Sequence, residues 1–276
     1  MLKRRGIDIL LFAVVLMFAV SMVNRSRDMG DSAKKPTSTV ENSEPSSQTS
    51  GLTITEYMLT VKGAKDAMLL RRLGYTAGYS KEWRCPVWVA WELTAEEAGG
   101  MNDGQYSFSR DPEVKFPKAS REDYANSGWD KGHMAPRADM KWSCQALEES
   151  YYFTNICPQN HEMNSQAWRK IEELTRRLAL RYGSVYVVCG PVVGTGRYGT
   201  IGKAGVQVPD AFFKALAVNT PDGYRTVGFL VENSRQNGSP RRYAVTVDSV
   251  ESVTGRNLFP SLPEVCEASF DWNDWK

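Results

Sequence analysis

The stretch "YYFTNICPQNHEMNSQAWRKIEELTRRLALRYG", Tyr151–Gly183, changes its hydrophobic period midway. Its first seven residues, aromatic and β-branched, predict a strand. Pro158 interrupts that pattern, because proline lacks the N–H a ladder or helix needs. Beyond Asn164, residues Ile171, Leu174 and Leu178 recur at helical spacing. Gly183 stands where a helix commonly stops. A strand leading into a long amphipathic helix is therefore the local unit, and its surroundings decide the fold.

Outward from that unit the chain is rich in strands. "CPVWVAWEL", "SVYVVCGPVV", "AFFKALAV" and "TVGFLVEN" are apolar runs of strand length, and "YAVTVDSVESVTG" starts extended and turns helical. Residues 100–128 are polar and turn-rich, with Asp111–Pro112 and Ser127–Gly128 as breakers. Strands outnumber helices without alternating regularly with them. This predicts an α+β fold with a central, mainly antiparallel sheet.

The N-terminus has a different character. Lys3, Arg4 and Arg5 precede an uncharged run, Ile9–Val23, in which only Ser21 is polar. Residues 1–23 are expected to act as a signal peptide or an N-terminal membrane anchor. Residues 24–52, rich in Ser, Thr, Asn and Pro, are expected to form a flexible linker, since they offer too little apolar surface to offset ordering entropy. Residues 53–276 would form the folded domain. Its expected location is exported: periplasmic, extracellular or membrane-anchored.

Charge limits the partners. Residues 1–52 hold 7 basic and 5 acidic side chains, and residues 53–276 hold 27 of each sign, so the whole excess of +2 lies in the tail. A neutral domain must hold any anionic partner through a local patch. Lys131, Arg137, Arg169, Arg176 and Arg177 could supply one. The five cysteines include no C-x-x-C pair, which argues against structural zinc.

Only two histidines occur, His133 and His161. That excludes a histidine-rich metal site, and no phosphate loop or nucleophile elbow is found. Cys157 and His161 are four apart, but Pro158 between them argues against a shared helical face. Asn164, Trp168, Glu172 and Arg176 recur every four residues and would form a slanting stripe on the helix. Two readings stand for it. In one it is a solvated face, with a Glu172–Arg176 ion pair and Asn164 capping a helix that begins near Ser165. In the other, Asn164 is a neutral oxygen ligand for a hard cation, Glu172 orders water around it, and Arg176 meets phosphate. A histidine base such as His133 would complete a site for phosphodiester hydrolysis.

Two blocks carry a resemblance. "DKGHMAP", Asp130–Pro136, is similar to the D-R-G-H-x-x-P signature of the DNA/RNA non-specific endonucleases, the ββα-metal enzymes. "TNICPQNHEMNSQAWRKIEE", Thr154–Glu173, resembles their second block, N-x-x-P-Q-x4-N-x3-W-x3-E. Weaker similarity runs over roughly residues 54–264. The resemblance implies a ββα-metal (His-Me finger) motif and hydrolysis of DNA and RNA without sequence or sugar specificity. His133 would be the general base. Asn164 would be the single protein ligand of Mg²⁺, for which Mn²⁺ or another divalent cation can substitute. Glu172 would hold the metal's waters and Arg176 would contact phosphate. Asn155 would stand near the base, Gln159 would support the site, and Asp130 would organise its loop through backbone bonds. The sequence departs from the pattern at Lys131, where the family has arginine, and near Tyr106, where an upstream family arginine is missing and Arg110 stands close. These departures motivate the alternative, a membrane-tethered nucleic-acid-binding protein whose nuclease fold has lost turnover. A homodimer stays open.

Overall fold

The structure, a computed structural model, describes residues 61–63, 67–115, 118–262 and 271–275. The expected N-terminal anchor and linker, and Cys266, lie outside these residues. Residues Ile54–Lys276 form one compact unit. Along the chain the strands are β1 (Val61–Lys62), β2 (Met68–Arg71), β3 (Thr76–Ser80), β4 (Cys85–Thr94), β5 (Asp130–His133), β6 (Ile156–Gln159), β7 (Ser184–Val192), β8 (Thr200–Ile201), β9 (Val206–Gln207), β10 (Ala211–Thr220), β11 (Gly223–Glu232), β12 (Ala244–Val245) and β13 (Asn257–Leu258). The α-helices are α1 (Ala95–Ala98), α2 (Arg121–Tyr124), α3 (Cys144–Ser150), α4 (Arg169–Tyr182) and α5 (Val247–Thr254).

Seven strands form one sheet in the order β12-β11-β10-β7-β4-β3-β2, and every pairing in it is antiparallel. The α+β reading with a central antiparallel sheet holds. Side chains alternate across the sheet, so each strand feeds two cores. On one face Val89, Trp91, Leu93, Val187, Phe212, Leu216 and Phe229 meet Trp168, Ile171, Leu174 and Leu178 from the α4 segment. On the other, Trp88, Val188, Phe213, Ala215 and Leu230 meet Val247 and Val250 of α5. Each buried Leu or Ile of α4 contributes about 2 kcal/mol by removal from water. The expected stop at Gly183 is present, with φ of +87°.

The opening stretch departs from expectation at two points. The strand expected over Tyr151–Cys157 is only β6, starting at Ile156; Phe153–Asn155 form a 3₁₀ turn instead. The backbone there is bonded elsewhere: Phe153 N donates to Ser109 O, and Asn155 N to Tyr152 O. The helix also begins earlier than Ser165. Helical turns start at His161 and pass through a π-helical segment, Met163–Trp168, before α4. The cap is Asn160, whose Oδ1 accepts from the N–H of Glu162 at 3.1 Å and of Met163 at 3.3 Å. Asn164 is therefore inside the helix and not its cap. Asn233 fastens this junction to the sheet: its Oδ1 accepts from Asn160 N, and its Nδ2 donates to the carbonyls of Pro158 and Pro209.

Candidate active site

β5 and β6 pair antiparallel, with Lys131 opposite Pro158, Gly132 opposite Cys157 and His133 opposite Ile156. The two strands lead into the α4 segment, which makes the ββα unit. Alternation puts Lys131 and His133 on one face of β5 and Asp130 on the other. The Phe108 ring is common to the first pair. It lies 5.3 Å from the His133 ring, and Lys131 Nζ stands 5.5 Å from its centroid. The Tyr151 ring meets His133 edge-on at 5.1 Å. Two aromatic walls thus fix the imidazole, and its Nε2 is buried with no hydrogen-bond partner among the described residues. Burial, and secondarily the positive charge of Arg137, pushes the His133 pKa down to about 4. The ring is neutral at pH 7, the form a general base needs.

Gly132 has a packing role. A Cβ there would lie 2.0 Å from Gln159 Oε1, so only glycine fits. Gln159 is fully buried and both ends of its amide lack partners among the described residues. Asn155 is fully buried as well. Its Oδ1 accepts from Ala135 N, and its Nδ2 donates to Ala135 O and Ser150 O. With Met134 N donating to Asn155 O, this pins the two residues that follow His133.

On the opposite face Asp130 Oδ2 accepts from Asn164 Nδ2 at 3.0 Å and sits 2.9 Å from His161 Nδ1. Asp130 thus bonds through its carboxylate while its backbone lies in the β5–β6 ladder opposite Gln159. Because the amide nitrogen is held, Asn164 Oδ1 is left without a hydrogen bond among the described residues. In a regular helix Asn164 and Glu172 would be offset by about 80° around the axis. The wider π turn rotates less per residue, which reduces that offset. Glu172 has neither a hydrogen bond nor an ion pair among the described residues, and burial raises its pKa to about 7 against the lowering effect of Lys214. The Glu172–Arg176 pair of the solvated-face reading does not form among the described residues. Arg176 Nη1 donates to Asp139 Oδ1 at 2.9 Å, and Asp139 is fully buried. The ion pair on that helix joins Arg169 to Glu173.

Among the described residues no group of three or more His, Cys, Asp or Glu side chains could hold a metal. The donor set here is instead one free amide oxygen and one unpartnered carboxylate. That suits a hydrated hard cation such as Mg²⁺, which keeps most of its waters. Arg110 lines a pocket with Phe108, Ser109, Ser120, Arg121, Glu122 and Phe153. Tyr106 meets Tyr151 as a tilted ring pair at 6.3 Å and carries no cation to that place. The sequence reading missed Phe108, Tyr151, Asp139 and Lys214. Only Lys214 left a signal, as a lone charge within the apolar run "AFFKALAV".

Comparison with known proteins places the chain in a family. The family model for DNA/RNA non-specific endonucleases matches residues 53–265. A mitochondrial nuclease EXOG from Xenopus laevis is 33% identical over 206 residues, 69% of this chain and 58% of its own length. The Danio rerio counterpart is 35% identical over 68% of this chain and 60% of its own. The chain therefore spans about three fifths of the length of these two relatives. Human mitochondrial endonuclease G is 31% identical, and the match covers 71% of each chain. A crystal structure of an EndoG/EndoGI complex superposes with a TM-score of 0.66 at 27% identity, covering 72% of this chain and 88% of that one. By its fold, its two sequence blocks and these matches, the chain belongs to the DNA/RNA non-specific endonuclease family.

Proposed function

We propose that the protein is a metal-dependent endonuclease that hydrolyses phosphodiester bonds in DNA and RNA without sequence or sugar specificity. The observation that carries this reading is what β5 contributes at its two ends: at His133 a neutral imidazole whose Nε2 has no hydrogen-bond partner among the described residues, and at Asp130 a carboxylate that holds Asn164 Nδ2 and leaves its oxygen free. Asn164 would be the direct protein ligand of Mg²⁺, and Glu172 would accept hydrogen bonds from the ion's waters. When bound, such a cation offsets charge that develops on the phosphorus-bound oxygens and the leaving group. His133 takes the proton of the attacking water at its free ring nitrogen. A bound phosphodiester, being anionic, counteracts the influence of Arg137 and strengthens that base.

Phosphate is held by cations without base readout. Lys131, poised over Phe108, supplies a point charge, and Arg110 supplies a second contact farther along the strand. Arg176 reaches phosphate from the position that Asp139 gives it. Gln159 and Asn155 hold the hairpin and the turn behind His133. The N-terminal basic flank and apolar run support delivery to or across a membrane, while the relatives' names place those proteins in mitochondria. Among the described residues no helix is long and apolar enough to cross a membrane.

Purified protein with Mg²⁺ should degrade plasmid, single-stranded DNA and RNA, and EDTA should stop it. His133→Ala should lower turnover by roughly 10²–10⁴-fold while the circular dichroism spectrum is unchanged. Wild-type turnover in His133→Ala would refute the mechanism. Binding of nucleic acid with no Mg²⁺-dependent cleavage by the wild type would favour a fold that has lost turnover.

A further inference from the structure

Lys131 and His133 share one face of β5, and two residues before Lys131 the same alternation reaches Trp129. At strand spacing the row from Trp129 to His133 spans about 13 Å. A common apolar cluster confirms that the three lie on one side. Trp129 and Phe108 both pack against the cluster that holds Tyr124, Phe153 and Ile156. Lys131 Nζ stands 6.0 Å from the Tyr124 ring centroid and 5.5 Å from that of Phe108, the ring that also walls His133. An indole, an ammonium and an imidazole thus follow one another along the strand.

Trp129 is braced from a distant segment. Its ring meets Tyr198 edge-on, with centroids 5.0 Å apart. Tyr198 and Arg197 are the central residues of a turn that Gly199 N closes by donating to Gly196 O at 2.9 Å. The Arg197 guanidinium lies 4.5 Å from the Tyr198 ring centroid, and its Nη2 donates to Tyr198 Oη at 2.5 Å. The turn is pinned on both sides. Thr195 donates its N–H and its hydroxyl to Asp210 Oδ2, and Val208 N donates to Gly199 O at 3.0 Å. For all this support Trp129 and Tyr198 stay half-buried, and Arg197 is exposed.

Two large rings left half in water forgo part of the stabilisation that full burial would give. A rigid, part-exposed indole beside cations is a surface on which nucleobases stack. The charge of the domain gives such contact a purpose. With 27 basic and 27 acidic residues, it draws limited affinity from phosphates alone. Stacking adds affinity without charge and without reading base identity, since every base has a π-face. In a duplex each base is already stacked on its neighbours, so the ring is served by unpaired ones.

We infer that Trp129, braced by Tyr198 and Arg197, is a stacking site for an unpaired nucleobase beside the phosphodiester that His133 attends, so that single-stranded DNA or RNA is held by ring contact as well as by phosphate. The inference rests on the nuclease reading for its substrate. Lys131, between the indole and the imidazole, meets the phosphate that joins the two positions.

The test uses the full chain in EDTA, so that no strand is cut, and fluorescence anisotropy with two labelled strands of equal length and charge. One is oligothymidylate and the other is built of abasic residues. Wild type should bind oligothymidylate at least about fivefold more tightly, the low end of what one base on an aromatic ring contributes. Trp129→Ala should abolish that preference, and Trp129→Phe, which keeps a ring, should retain most of it. A Trp129 that only supports the fold would weaken both strands alike and leave the preference intact. That result overturns the inference, as does a wild type without preference. If Trp129→Ala does not fold, wild type labelled with 5-fluorotryptophan decides. The ¹⁹F signal missing from Trp129→Phe should move with oligothymidylate and stay in place with the abasic strand; movement with both, or with neither, overturns the inference. Base preference in a protein that cleaves nothing with Mg²⁺ would defeat the nuclease reading alone. Mg²⁺-dependent cleavage without that preference would defeat the stacking site alone.

Discussion

Glu172 and His133 are pushed in opposite directions by the same burial, and the consequences for pH differ in sign. His133 falls to about 4 in the fold from an ordinary 6.5. Between those values the unfolded chain binds the extra proton, so this group makes stability rise with pH until about 6.5. Glu172 rises from 4.5 to about 7. Within that window the folded chain binds the proton, so this group makes stability decline as pH rises toward 7. The two contributions oppose each other, and a denaturant midpoint followed from about pH 5 to about pH 7 should change little on their account. Catalysis should be less tolerant. The rate should fall on acidification through about 7, where Glu172 gains its proton, while His133 is still neutral. Raising Mg²⁺ should move that limb to lower pH, because a nearby cation favours the carboxylate. An acid limb that ignores Mg²⁺ would separate Glu172 from the metal. At this scale the two motif blocks made His133, Asn164 and Glu172 legible. Asp139 was not, because its importance lies in a partner 37 residues away. Nor were Phe108 and Tyr151, which meet the imidazole from separate loops.

The ββα unit depends on two short-range features. One is the contact between Gly132 and Gln159. Gly132→Ala should cost about 1–3 kcal/mol by overpacking, read as a lower denaturant midpoint, and should move His133 away from its aromatic walls. The other is the early helix start. Asn160→Ala removes the acceptor for two N–H groups and should cost about 1 kcal/mol. It should also raise the Mg²⁺ concentration needed for half-maximal rate, because the turn that carries Asn164 would fray. An unchanged Mg²⁺ requirement would detach the cap from the metal site. The long strands were legible from apolar runs, since β4, β7, β10 and β11 are buried on both faces. The 3₁₀ turn at Phe153 and the π turn at Asn164 were not. The first is bonded to a distant segment at Ser109, and the helical turns that precede the second are fastened at Asn160 by Asn233. Periodicity carries no trace of such partners.

Across the molecule the balance of charge predicts how substrate binding responds to salt. A neutral domain with a few cations near its site should neutralise about three or four phosphates. The slope of log affinity against log salt should then be roughly −3 to −4 on duplex DNA. A slope near −10 would mean a far wider cationic surface than the described residues offer. The fold also has a mechanical side. Strand β1, at the N-terminal edge of the described domain, is fastened to β13 by a two-residue ladder, Val61 to Leu258 and Lys62 to Asn257. This ladder is separate from the seven-stranded sheet and from the β5–β6 hairpin. If the N-terminal segment is anchored, tension enters through β1 and loads that ladder first. So short a clasp yields at low force, so drag on a tethered copy would be released at β1 before it could distort the geometry around His133.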